Sequence, residues 1–203
     1  MINIIIRSER ESDYREVENL VREAFWDLYK PGCDEHLILH KMRNISDFVP
    51  ELDFVACDGE IIAGNIVYTK AKIVDEDRKE AEVLCMGPLA ILPSYQKLGI
   101  GSLLMKESIA KAKELGYSAI VIFGNPDYYH RFGFKNAKEY NVQTSDGDNL
   151  DAFMVLELQK GGLISITGKF YESPVFKVTD EELELFEKEF PYKEKHITDT
   201  QFK

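Results

Sequence analysis

One stretch restricts the possible fold more than any other: Leu89-Ala90-Ile91-Leu92-Pro93-Ser94-Tyr95-Gln96-Lys97-Leu98-Gly99-Ile100-Gly101-Ser102-Leu103-Leu104. It reads as the end of a buried strand, a short loop and the first turn of a helix. Downstream, Leu104, Met105, Ser108, Ile109, Ala112 and Leu115 fall on one arc at helical spacing. Lys106, Lys113 and Glu114 lie opposite, and Gly116 is placed to close the helix. Gly99 and Gly101 therefore sit where the unpaired N–H groups of a first helical turn leave the loop. Such a terminus attracts an anion, because free amides and the positive end of the helix dipole act together. Glycine also removes the Cβ atoms that keep a phosphate away from the backbone. The spacing matches neither a dinucleotide fingerprint, since position 104 is Leu, nor a P-loop, since the lysine precedes the glycines. On these residues alone, an anion cradle and an ordinary glycine-rich helix start both fit.

The 203 residues suffice for one domain with a sizeable core, and 44% hydrophobic with 30% charged residues is ordinary for a globular chain. A net charge of −11, spread along the chain, argues against a nucleic-acid partner. The same charge would welcome a cationic amine. Cys33, Cys57 and Cys85 are far apart and fit a reducing cytoplasm better than a disulfide framework. The apolar start, Met1 to Ile6, is too short for a signal peptide, and no run approaches the ~20 apolar residues that span a bilayer. The expectation is a cytoplasmic protein without membrane partners. His36, His40 and His196 form no ligand pattern, so no metal is expected.

In chain order, Ile2–Ile6 reads as a strand, followed by a helix capped by Ser12 or Asp13 that carries Val17, Leu20, Val21, Ala24 and Phe25. A second amphipathic piece spans about Glu35–Met42. Asp53–Cys57 and Ile61–Tyr68 flank Asp58-Gly59-Glu60, a strong hairpin signal. The second arm continues to Val74, and Glu80–Ile91 returns as a strand. Pro88 within it predicts a bulge, because proline donates nothing to the ladder. Tyr117–Gly124 is a continuous apolar run, as a buried parallel strand would be. In Asn125–Phe134, Asp127 can cap a short helix ending at Gly133. Further strands are expected near Tyr140–Thr144, Ala152–Leu158 and Ile164–Tyr171. Thr179-Asp180-Glu181-Glu182 is a capping box that opens an acidic helix with Leu183, Phe186 and Phe190 on one face. Consecutive antiparallel strands followed by one strand–helix–strand unit imply a mixed α/β (α+β) architecture.

Two motifs, in this order, carry a resemblance. Gln96-Lys97-Leu98-Gly99-Ile100-Gly101 resembles the Gln/Arg-x-x-Gly-x-Gly/Ala signature of the GNAT superfamily of acyl-CoA-dependent N-acyltransferases. Tyr129, with Gly133-Phe134 four residues on, resembles its Tyr-x-x-x-Gly-Phe hallmark, in a spelling similar to a branch of predicted acetyltransferases. The resemblance implies a mostly antiparallel sheet flanked by helices and splayed between the fourth and fifth strands. It implies a GNAT-like domain over residues 1–160, with 161–203 as an extension packing on the domain or on a second subunit. It further implies acetyl-CoA as co-substrate, its pyrophosphate held by amides of Gln96, Lys97, Leu98, Gly99, Ile100, Gly101 and Ser102. The pantetheine arm would pair with main-chain groups of Leu89, Ala90 and Ile91, with Asn125, Tyr128 and Phe132 close by. Where many members carry an asparagine, about two turns before the tyrosine, this chain has Ile122.

Tyr129 is the expected acid to the departing sulfur, with Tyr128 its rival. Glu82 ranks below a water-mediated base or no base, and His130 reads as a surface residue. The acceptor, expected to be a small amine, would meet residues 26–42, residues 67–80 and the C-terminal extension. Trp26 and Tyr29 either line that pocket or pack their helix. A non-catalytic acyl-CoA-binding domain and a protein N-acetyltransferase are the competing functions, and a monomer or homodimer is expected.

Overall fold

Alternating burial along the first strands sets up two helical layers around one sheet. The computed structural model describes residues 3–199 and 201, so Ile2 of the expected first strand lies outside the described residues. The first strand, β1 (Ile4–Ser8), is followed by α1 (Tyr14–Phe25), α2 (Glu35–Met42) and the antiparallel pair β2 (Phe54–Asp58) and β3 (Ile61–Val74). On β2, Phe54 and Ala56 face one layer while Val55 and Cys57 face the other. The period of two puts Val17, Leu20, Val21, Leu39 and Met42 of the first two helices onto the second face. Neither Ser12 nor Asp13 caps α1 by its side chain. The Asp13 carboxylate is engaged by the Arg7 guanidinium and by the N–H of Arg10.

β4 (Glu80–Ile91) runs antiparallel to β3, and the bulge that Pro88 predicts is present. Met86 lies opposite Tyr68 and Leu89 opposite Ile66, so Gly87 and Pro88 together face Val67. Next, α3 (Ile100–Glu114) covers the face opposite the first two helices with Ile100, Leu104, Met105 and Ala112. Ser108 lies fully buried in that stripe, its Oγ 2.7 Å from the Tyr68 Oη, so neither hydroxyl is stranded. Leu115, expected on the apolar arc, falls just past the helix end and is 40% exposed.

β5 (Ala119–Phe123) runs parallel to β4 but pairs with it only at Leu84–Ile120 and Cys85–Val121. Beyond Cys85 the two strands part, and the sheet forks. After β5 come α4 (Pro126–Tyr129), β6 (Lys135–Asn136), β7 (Val142–Gln143) and β8 (Phe153–Glu157), the last pairing antiparallel with β5 over its whole length. The strand expected over Tyr140–Thr144 shrinks to two residues. Ala137–Tyr140 winds into a 3-10 turn capped by Asn136, and Asn141 reverses the chain at φ +54°. The sheet order is β1-β2-β3-β4-β5-β8-β6.

The C-terminal segment folds back on this frame. β9 (Gly168–Tyr171) pairs with Lys72–Val74 and, in parallel, with β7. It is shorter than the expected Ile164–Tyr171, because the chain turns through residues 161–165 and leaves Ile164 85% exposed. The final helix, α5 (Asp180–Glu187), opens with the expected capping box. Thr179 Oγ1 accepts the Glu182 N–H at 3.2 Å, and the Glu182 carboxylate accepts the Thr179 N–H at 3.0 Å. Phe186 and Phe190 bury against Leu37 and the ring of His36. Beneath them, Glu187 receives the Arg22 guanidinium at 2.8 Å and lies 2.8 Å from His36 Nε2. Among the described residues no helix is long and apolar enough to cross a membrane.

Candidate active site

The loop after β4 has the geometry that its glycines suggest. Pro93–Tyr95 makes one 3-10 turn, the Gln96 side-chain amide donates to the Ile91 carbonyl at 3.3 Å, and Lys97 takes φ +63°. Gly99 precedes α3 at φ +84°, a conformation that L side chains rarely adopt. Gly99 has no side chain to cap the helix, and the N–H groups from Lys97 to Gly101 donate to nothing within the described residues, whereas those of Gln96 and Ser102, expected in the same cradle, already donate to the Pro93 and Gly99 carbonyls at 3.4 and 3.0 Å. Such unpaired amides at a helix start are an anion cradle. A Cβ on Gly101 would stand 2.7 Å from the Tyr128 Oη, so that hydroxyl seals one side of the cradle.

The other side of the fork holds the second motif. Asn125, rather than the expected Asp127, caps α4: its Oδ1 accepts the Asp127 N–H at 2.9 Å, and Pro126 occupies the first helical position. Gly133 ends the following turn at φ +93°. The Tyr129 ring lies directly on Gly124, where a Cβ would meet it at 2.4 Å, and makes an edge contact with Phe134. Burial pushes the Tyr129 phenol well above its usual value, so it stays protonated through the neutral range. The Tyr128 phenol is also raised by burial, against a hydrogen bond with Ser102, and Arg131 stacks on its ring. Substituting Asn125 by Ala removes the cap, and unfolding should come about 2–4 °C earlier in a thermal melt, for ~1 kcal/mol lost.

A cavity of about 800 Å³ joins these parts. Of the expected cofactor-binding residues, Leu89, Ile91, Gln96, Lys97, Gly99, Ile100, Gly101, Ser102, Asn125 and Tyr128 line it, as does Tyr129. Three do not. The Ala90 side chain is 1% exposed and faces the first two helices, Leu98 projects outward, and Phe132 packs beneath Tyr128 on the core.

The far wall comes from Phe25, Leu28, Tyr29, Glu35 and Ile38 and, from the C-terminal segment, Glu172 and Phe176. Tyr29 therefore reaches the cavity, whereas Trp26 packs against the Arg22 guanidinium and donates its indole N–H to the Glu194 carbonyl. Residues 67–80, expected at the acceptor pocket, border a separate shallow groove instead. Glu82 lies in that groove, 59% exposed, 3.9 Å from Lys70.

Sequence reasoning missed Glu35 and Glu172. Burial drives the Glu35 carboxyl up to about 7, and it raises Glu172 as well. Nothing in Asp34-Glu35 distinguished a cavity carboxylate from one complementing a helix dipole, and Glu172 sits in no motif. Among the described residues no group of three His, Cys, Asp or Glu side chains is arranged to hold a metal.

A sheet forked beside a bare helix mouth, with a half-buried tyrosine at the same cavity, is a geometry suited to gripping a phosphorylated carrier. Residues 51–136 match the family model described as an acetyltransferase (GNAT) domain. The chain is 29% identical over 166 residues to the uncharacterized N-acetyltransferase YhbS of Escherichia coli K12, covering 81% of this chain and 93% of that relative. The crystal structure of Escherichia coli YhbS in complex with CoA superposes with a TM-score of 0.77 at 25% identity, over 87% of this chain and 93% of that one. A GNAT family acetyltransferase from Brucella melitensis, solved with acetyl-CoA, shares the fold at a TM-score of 0.69 and 24% identity, over 87% of this chain and 100% of that one. The chain thus has the fold of the GNAT N-acetyltransferase structures, and its residues 51–136 resemble that family's acetyltransferase domain.

Proposed function

We propose that the chain moves an acetyl group from acetyl-CoA to the primary amine of a small molecule, by direct transfer while both substrates are bound. One observation carries this reading: a single cavity is lined at once by the loop of residues 96–102, by β4 beyond the fork, by Tyr129 and by the far wall. Donor and acceptor then meet without a covalent enzyme intermediate. The related structures from Escherichia coli and Brucella melitensis are complexes with CoA and acetyl-CoA, which supports the same donor here. The amides from Lys97 to Gly101 take the pyrophosphate. Main-chain groups of Leu89, Ala90 and Ile91 on the free edge of β4 pair with the amides of the pantetheine arm, Ala90 by its backbone alone.

Transfer needs a held donor, a neutral amine, hydrogen-bond donors at the developing oxyanion and a proton for the leaving thiolate. Positioning carries most of the work, because a thiolate of pKa about 8.5, by analogy with cysteine, already leaves readily. N–H groups freed around the Gly87–Leu89 bulge polarise the carbonyl. Tyr129 supplies the proton to sulfur, and the Tyr128 hydroxyl, turned to Gly101 and Ser102, belongs to the phosphate end. One chain carries the complete cavity, whether it acts as a monomer or a homodimer. The buried thiols of Cys33, Cys57 and Cys85 suit a reducing cytoplasm.

The test is thiol release from acetyl-CoA across amines, amino acids, polyamines and peptides, with the product weighed by mass spectrometry. Acceptor-dependent thiol release with intersecting double-reciprocal plots is the expected result. Tight coenzyme A binding without any acetylated amine would favour a non-catalytic binding module, and acetylation of protein lysines or N-termini alone a protein acetyltransferase.

A further inference from the structure

The charges lining the cavity are segregated. Its two cationic side chains, Lys97 and Arg131, belong to the phosphate loop and the turn after α4. Its two carboxylates, Glu35 and Glu172, come from the first turn of α2 and from the residue after β9. Neither carboxylate enters a salt bridge among the described residues, although the Lys177 ammonium favours the ionised form of Glu172, whereas Glu9, Glu18 and Glu187 are each held by an arginine. Glu172 lines the same cavity as Cys85, the last β4 residue paired with β5. Glu35 and Tyr29 belong to the far wall of the cavity that Tyr129 also lines.

We propose that this acceptor end is built for a compact molecule bearing two amino groups and no carboxylate. The inference rests on the acetyl-transfer reading above. Glu35 takes one proton from the ammonium that reacts, and Glu172 holds the second ammonium. The neutral nitrogen forms the C–N bond to the thioester carbonyl carbon, the C–S bond breaks, and Tyr129 protonates the leaving sulfur. The proton that nitrogen sheds on becoming an amide restores the phenol, and Glu35 releases its proton to water. One ammonium and one thioester thus give one amide, one thiol and one proton. A carboxylate-bearing acceptor would set like charges together in a partly desolvated site, which is repulsive.

Glu35 faces Lys30, Asp34, Tyr29 and Cys33; Lys30 and the backbone N–H groups of Asp34 (to its Oε2 at 3.1 Å) and of Glu35 itself favour its ionised form, and burial outweighs them. A base titrating near 7 leaves an acid limb in kcat/KM at that pH, since it works only when ionised.

The experiment compares 1,4-diaminobutane, butylamine and 4-aminobutanoate as acceptors with acetyl-CoA. Expected is a kcat/KM for the diamine roughly 10- to 100-fold above butylamine, as one charged contact supplies, with 4-aminobutanoate lowest. Glu172→Gln should bring diamine and monoamine together, mainly through KM, with acetyl-CoA affinity measured as the control for folding. Glu35→Gln should lower kcat and remove the acid limb near pH 7. Equal use of diamine and butylamine, or a preference for 4-aminobutanoate, would overturn the inference while leaving acetyl transfer standing. If no amine is acetylated although coenzyme A binds, both fail.

Discussion

Tyr129→Phe is expected to lower kcat by about 10²-fold or more while acetyl-CoA affinity stays within about twofold. The substitution deletes one oxygen and keeps the ring, with its contacts to Gly124 and Phe134, so thermal stability should not fall. Burial holds the native phenol protonated far into the alkaline range, as an acid to a thiolate requires. Tyr128→Phe separates the two neighbours. Its hydroxyl faces Gly101 and Ser102, so the expected change is a higher KM for acetyl-CoA with kcat reduced only severalfold. Steady-state kinetics together with calorimetric titration of coenzyme A would read both outcomes. If Tyr128→Phe abolishes turnover and Tyr129→Phe does not, the assignment of the acid is reversed.

Arg22→Met should destabilise the fold by about 3 kcal/mol, or roughly 6–12 °C in Tm for a chain of this size. Arg22 is 2% exposed, grips Glu187 through two nitrogens and stacks on Trp26. Without it, the Glu187 carboxylate sits against His36, which burial holds at a pKa of about 4 and therefore neutral at pH 7. Arg22→Met combined with Glu187→Leu should recover part of the loss, because the uncompensated charge goes as well. Acid acts on the same place. His36 drops from an ordinary 6.5 to about 4, so below 6.5 the unfolded chain binds the extra proton. That group's contribution to stability therefore falls as pH drops from about 6.5 to 4 and levels off below. Denaturant melts across that range check it, with His36→Asn flattening the slope.

Much of this architecture was visible in local chemistry. The loop glycines, the Asp58-Gly59 hairpin and the Thr179 capping box specify backbone geometry through nearest neighbours, and each is found as expected. Pro88 was legible for the same reason: a residue without an N–H cannot sit in a regular ladder, and the register shifts there. What failed to show depends on distant pairing. Val142–Gln143 is cut short by the turn before it and finds its partner in a strand near residue 168, which no periodicity encodes. Trp26 fits either a pocket wall or a packed helix by sequence, because its partner Glu194 lies 168 positions away. Glu35 and Glu172 look like ordinary solvated acids until folding brings both to one cavity.

The partial union of β4 with β5 has a consequence for exchange with solvent. Beyond Cys85, about every second peptide N–H of β4 still bonds to β3, while the alternate ones face the gap. In deuterated buffer this strand should therefore exchange in two populations, slow and fast by turns. A carrier lying in the gap would erase that alternation by acting as the absent neighbour, so a ligand with no protein sequence would complete the sheet.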